Sequence, residues 1–147
     1  MKRIALLTLL TIVPIMLMSS TGIGIIIGEP TGISAKFWTS DNNAFDAALA
    51  YSFSDKDHLY LHINYLHHNV SQLDNVGIPW YWGIGGNVRY NEKANDEVKL
   101  AARVPIGLNY MLESMPSEAF IEVSPALDVV PKVGFSMGAA IGFRFYF

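Results

Sequence analysis

Val98-Lys99-Leu100-Ala101-Ala102-Arg103-Val104-Pro105-Ile106-Gly107-Leu108-Asn109-Tyr110-Met111-Leu112 is the stretch that decides the fold. Taken two residues at a time, Val98, Leu100, Ala102, Val104, Ile106, Leu108, Tyr110 and Leu112 fall on one face. Lys99, Ala101, Arg103, Pro105, Gly107, Asn109 and Met111 fall on the other. Successive side chains of an extended strand point to opposite sides, so this is a strand with one apolar and one mixed face. Residues 133–147 repeat the pattern. Val133, Phe135, Met137, Ala139, Ile141, Phe143, Phe145 and Phe147 share one face, while Gly134, Ser136, Gly138, Ala140, Gly142, Arg144 and Tyr146 share the other. Apolar residues make up 51% of the chain, so apolar residues at all sixteen positions of the two faces together arise by chance roughly once in fifty thousand trials, before the choice of register is counted.

The same period runs outward through the sequence. Phe45, Ala47, Leu49, Tyr51 and Phe53 alternate with Asp46, Ala48, Ala50 and Ser52. Leu59, Leu61, Ile63 and Tyr65 alternate with His58, Tyr60, His62 and Asn64, and Trp82, Ile84, Val88 and Tyr90 with Gly83, Gly85, Asn87 and Arg89. Shorter runs cover Ile33 to Trp38 and Ile121 to Asp128, and Gly22 to Gly28 is the least regular because Ile25, Ile26 and Ile27 are consecutive. Turn-forming residues separate the runs at Glu29-Pro30-Thr31, Ser40 to Asn43, Ser54 to Asp57, Asn91 to Glu97, Glu113 to Ser117 and Val130 to Lys132, with a longer connection from His68 to Pro79. About eight strands result, an even number suited to a small closed barrel. A C-terminus on the periplasmic side would put the long His68 to Pro79 connection there as well, against the usual preference for short periplasmic turns.

The placement of charge tells which face meets what. Of ten Lys and Arg and thirteen Asp and Glu, Lys2 and Arg3 precede the first apolar run. Thirteen fall in the expected turns: Glu29, Asp41, Asp55, Lys56, Asp57, Asp74, Glu92, Lys93, Asp96, Glu97, Glu113, Glu118 and Lys132. The remaining eight, Lys36, Asp46, Arg89, Lys99, Arg103, Glu122, Asp128 and Arg144, all lie on the mixed face of a strand. A soluble barrel would turn that mixed face to water and carry more charge on it. A small barrel interior also has too little room for the bulky Leu, Ile, Phe and Tyr of the apolar face. Turned outward, those side chains suit lipid, where a Lys or Arg costs about 2–4 kcal/mol at the midplane. An open sheet cannot cross lipid, so the sheet must close. Tyr51, Phe53, Tyr65, Trp80, Trp82, Tyr90, Tyr110, Phe145 and Phe147 lie near expected strand ends, where interfacial aromatic girdles belong.

Lys2 and Arg3, the uncharged run Ile4 to Met18, and the small residues Ser19 to Gly22 read as a secretory signal peptide. The expected organisation is therefore residues 1–21 as signal peptide and 22–147 as one antiparallel, up-and-down, transmembrane β-barrel. The chain has no cysteine, which removes disulfides, thiolate metal sites and a Cys nucleophile. A net charge of -3 gives no basic excess for nucleic acid.

The chain ends Gly142-Phe143-Arg144-Phe145-Tyr146-Phe147, which resembles the C-terminal assembly signal of outer-membrane barrels, with Phe143, Phe145 and Phe147 as its aromatic positions. More broadly, five stretches resemble a family of small, uncharacterised bacterial outer-membrane β-barrel proteins: residues 28–32, 59–62, 104–110, 122–128 and 141–147. The resemblance implies an outer-membrane location and, as partners, outer-membrane lipid and the barrel-assembly machinery. It transfers no activity and no catalytic pattern.

An eight-stranded barrel is only wide enough for its own side chains, so Lys36, Asp46, Arg89, Lys99, Arg103, Glu122, Asp128 and Arg144 are expected to form a lumen charge network, with Arg103 opposite Asp128. The role expected is structural, or that of a narrow, porin-like channel, in a monomer without cofactor, metal or catalytic residue. An alternative is a lipid-modifying enzyme that uses His62 or His67, the latter with Ser71, near the membrane surface. His58 and His62 share a face but supply only two metal ligands. A third reading is a soluble periplasmic barrel holding a small apolar ligand.

Overall fold

The computed structural model describes residues 21–52, 58–69, 79–91, 97–112, 114–130 and 132–147. The expected signal peptide up to residue 20 lies outside the described residues, and Thr21 is the first residue of a strand. The strands are β1 (Thr21–Glu29), β2 (Thr31–Trp38), β3 (Asn43–Ser52), β4 (His58–Asn69), β5 (Trp80–Asn91), β6 (Glu97–Arg103), β7 (Ile106–Leu112), β8 (Ser117–Val130) and β9 (Gly134–Tyr146). Every pairing among the described strands is antiparallel, and β9 returns to pair with β1.

β6 and β7 are two halves of one barrel strand, since both pair with β5 on one side and β8 on the other. The break falls at Val104-Pro105, where proline has no N–H to give the ladder. The ladder still bridges it: Gly83 N–H donates to the Pro105 carbonyl (2.9 Å) and Val104 N–H to the Pro125 carbonyl (3.0 Å). The nine segments therefore occupy eight positions in a closed, up-and-down antiparallel barrel, as the alternation predicts.

Two separate strands, not one bent strand, precede Asn43. Gly28 has φ = 136°, a conformation open to glycine, and starts a very tight turn through Pro30. The Thr31 hydroxyl closes the turn, accepting from Gly28 N–H (3.0 Å) and donating to the Gly28 carbonyl (2.9 Å).

The register fixes the barrel's dimensions. From Gly24, the paired residues Ser34, Ala48, His62, Asn87, Ala101, Asp128 and Gly134 lead back to the line of β1 about ten residues further along. At about 3.3 Å per residue and 4.8 Å between strands, this stagger gives a tilt of roughly 40° and a backbone radius of about 8 Å. Such a lumen is filled by its side chains.

Between its two rims the described outer wall is apolar. Ile25, Ile33, Leu49, Ile63, Ile84, Ile106, Ile121, Val123, Met137 and Ile141 are all exposed. Near the chain termini this stripe ends in outward aromatics, including Phe45, Tyr65, Trp82, Tyr110 and Phe145; the rings of Phe45 and Tyr65 are 5.0 Å apart. At the opposite end Tyr51, Tyr90 and Phe135 mark a second, sparser band. Along β9, Phe135 and Phe145 stand about 25 Å apart in height after tilt, the height of an outer-membrane apolar band. Asn69 at the end of β4 and Trp80 at the start of β5 pair at the end of the barrel that carries both Thr21 and Phe147, as the strand count requires.

Candidate functional site: the charged interior

Every charged residue of the expected network sits on the inner face of its strand, and the structure adds Glu118. Around Glu118 the packing is tightest. Its carboxylate accepts from Lys36 Nζ (3.0 and 3.3 Å) and from the Tyr146 hydroxyl, and lies 3.5 Å from Arg144 Nη1. Lys36 and Glu118 are fully buried. The Lys36 ammonium also sits 4.5 Å from the Trp38 ring centre. Trp38 and Tyr81 flank His68, with ring centres 4.4 and 5.1 Å away, closing this end of the lumen with aromatic rings.

One layer further in, Arg144 donates through Nε to Ser34 (2.9 Å) and through Nη2 to Asp46 (3.2 Å), and its guanidinium lies 4.0 Å from the centre of the Phe120 ring. Asn64 donates to the other Asp46 oxygen (2.6 Å). Phe120 packs with Ile26 and Ala48 in a small apolar plug. The next layer centres on Arg103. It donates to Glu122 (2.7 Å), Ser124 and Tyr60, and its Nη1 lies 2.6 Å from His62 Nδ1. Tyr81 donates to the second Glu122 oxygen (2.8 Å).

Three buried cations, Lys36, Arg103 and Arg144, thus meet three buried acids, Asp46, Glu118 and Glu122. A buried charge is tolerated only when it is paired and hydrogen-bonded, and each of the six is. At the mouth opposite the termini, Arg89 pairs with Asp128 in a less buried contact. Lys99, half-exposed, stands opposite Arg89 in the register.

The expected Arg103–Asp128 pair is not formed. Arg103 lies opposite Ala126 and reaches diagonally to Glu122, while Asp128 goes to Arg89. Arginine is long enough to choose a diagonal partner, so a hairpin register does not fix its mate. From the sequence pattern alone Glu118 falls in a turn, because the alternation of this strand is clear only from Ile121. It shares parity with Phe120 and Glu122, which is the signal that places it inside.

The histidines divide between the two faces. His62 and His68 are buried in the lumen. His67 faces outward, its Nδ1 2.8 Å from Asn43 Oδ1 and its ring edge-on to Trp82. Ser71 and the His58 side chain lie outside the described residues. Phe143 and Phe145 project outward from β9 with ring centres 4.9 Å apart, and Phe147 N–H donates to the Thr21 carbonyl (2.9 Å) across the barrel seam.

A closed eight-position antiparallel barrel with an apolar exterior and an ion-paired interior has the architecture of small outer-membrane barrels. Among solved structures, the N-terminal β-barrel domain of OprF from Pseudomonas aeruginosa is similar, with a TM-score of 0.67 and 13% sequence identity over 87% of this chain and 96% of that one. At that identity the likeness is one of fold. No family model and no curated protein matches the sequence.

Proposed function

We propose that the chain is an integral outer-membrane barrel with a structural role, its lumen sealed by ion-paired side chains, delivered by a signal peptide that precedes β1. The observation that carries this reading is the neutral, buried set of Lys36, Asp46, Arg103, Glu118, Glu122 and Arg144 across the lumen. Between Asp46, His62, Glu122 and Arg144 the free space shrinks to about 10 Å³, scarcely room for one water. An unbroken apolar exterior that ends in aromatics favours lipid as its solvent. Insertion by the barrel-assembly machinery, through Phe143, Phe145 and Phe147, belongs to the same reading. Closure leaves no strand edge for a second copy, which favours a monomer.

Planar-bilayer recording of refolded protein is the test. A folded, inserted barrel that shows no steady conductance is the expected result. Steady channels whose amplitude changes in Lys99→Ala or Arg103→Ala would make the protein a narrow pore and overturn the sealed lumen.

A further inference from the structure

The seam between β1 and β9 does not run the full height of the wall. β1 ends at Glu29, opposite Ala139, and the chain turns at once into β2, whereas β9 reaches up to Gly134. Phe135 stands about 10 Å above Ala139 at the barrel's tilt. A notch of that depth is therefore cut into the apolar band above the β1–β2 turn, at the mouth opposite the termini. Hydrogen bonding along β9 alternates between its two neighbours: Phe147 N–H donates to Thr21 of β1, and Tyr146 N–H to the Pro116 carbonyl on the β8 side. The register of β9 is unshifted from end to end, so Met137 and Phe135 keep the parity of Phe147. Their N–H and C=O groups turn to the notch, where no strand stands opposite them among the described residues. Both side chains lie on the outer wall, 60% and 72% exposed.

Hydrocarbon offers such backbone groups nothing, so whatever occupies the notch must hydrogen-bond. Two residues are too few to seat a strand of a second copy. Behind the notch lies a cavity of about 130 Å³, room for several waters. Glu29, Pro30, Ser136 and Gly138 wall it on the notch side, and Tyr60 and Ser124 deeper in. The wall is thus apolar outside and hydroxylated inside, and the two meet at the notch, which suits an amphiphile. Its head carries no negative charge, because Arg89 and Arg103 are already paired with Asp128 and Glu122, and Glu29 adds an acid at the entrance.

We propose that the notch binds an uncharged, hydroxyl-bearing lipid of the acylglycerol class from the leaflet at this mouth. Its acyl chain lies along Met137 and Phe135, its ester carbonyl accepts from Met137 N–H, and its free hydroxyls reach Ser136 in the cavity. The site rests on the membrane reading given above.

The test is a titration of the refolded, isotope-labelled full chain in phosphatidylcholine bicelles with 1-myristoylglycerol, followed by amide NMR. The Phe135 and Met137 amide signals are expected to shift saturably, with glycerol-to-Ser136 cross-peaks, while the Phe145 signal at the other end of the strand stays. Met137→Pro removes a donor that serves no ladder bond, and it is expected to refold like the parent and bind about tenfold more weakly. Ser136→Leu, which fills the cavity, is expected to abolish the cross-peaks and weaken binding at least as much. The proposal is overturned if the shifts are absent or grow in proportion to added lipid without saturating. It is equally overturned if Ser136→Leu binds like the parent, or if the anionic 1-myristoylglycerol phosphate binds as well as the uncharged lipid. Doxyl-labelled phosphatidylcholine separates the two levels of the argument. If it fails to broaden Ile84, Ile121 and Ile141, which are exposed on the outer wall, the membrane reading fails and the site with it. If it broadens them while the titration stays silent, the site alone falls.

Discussion

Replacing Glu118 by Gln removes one charge from the centre of the lumen and tests whether the ion-paired interior holds the barrel together. The carboxylate is fully buried and holds Lys36 Nζ at 3.0 Å with a second contact at 3.3 Å. Without it, the Lys36 ammonium is left in a dry interior with the Trp38 ring 4.5 Å away as its near neighbour. Breaking one partner of a buried pair costs about 3–5 kcal/mol, mostly as the penalty on the stranded charge. Removing both charges should cost far less. Lys36→Met keeps the chain length and sets a thioether against the ring, a contact that is itself favourable. Arg144 still has Asp46 at 3.2 Å. The double variant is therefore expected within about 1–2 kcal/mol of the parent, less destabilised than Glu118→Gln alone. Reversible urea unfolding in lipid vesicles, followed by tryptophan fluorescence, measures all the corners of this cycle. A cost for Glu118→Gln below about 1 kcal/mol, or a double variant as damaged as the sum of its singles, would refute the reasoning and imply that water reaches Lys36.

Three further outcomes can be checked on the same refolded protein or in cells. Ile141→Arg, midway up the outer wall, should lose about 2–4 kcal/mol in a bilayer, and Phe135→Arg near the rim about 0–1 kcal/mol, read from urea midpoints; equal losses would misplace the membrane on the barrel. Gly107→Ala should cost about 1–3 kcal/mol, because the new methyl would sit 2.4 Å from the Tyr81 ring that donates to Glu122; an unchanged midpoint counts against that close approach. Deleting Phe147, 83% exposed, should leave refolding in detergent intact while lowering the amount assembled in the outer membrane, and undiminished outer-membrane levels would show that the terminal aromatic is not read.

The barrel was legible because an apolar outside and a packed, polar inside impose opposite rules on alternate residues. A lipid-compatible exterior admits no charge, so Lys99, Arg103 and Arg144 could only be internal, and the 98–112 and 133–147 stretches displayed that rule over many residues. The partners of those charges were not legible. Arg103 takes Glu122 instead of Asp128 because long side chains cross a tilted sheet diagonally, and a register shift between Leu100 and Ala101 adds to the offset. Glu118 was hidden by a strand that begins with Ser117, ahead of its first bulky outward residue. A cavity of about 130 Å³ near the mouth opposite the termini was invisible for a different reason: it comes from small side chains such as Ser136 and Gly138 on β9 facing larger ones such as Asn87 and Arg89 on β5, a juxtaposition that only closure creates.

The seam between β1 and β9 pairs Gly22 with Tyr146 and Gly28 with Ala140. Most neighbouring strands can meet as local hairpins, yet this join has nearly the highest contact order the chain allows. Until it forms, β1 and β9 each carry a row of unpaired N–H and C=O groups, which is a template for aggregation. Folding is therefore held to the final stretch of the polypeptide: a nascent or truncated chain without β9 has two sticky borders and no means of healing either. Such a molecule passes from its most aggregation-prone form to its safest when that one join closes.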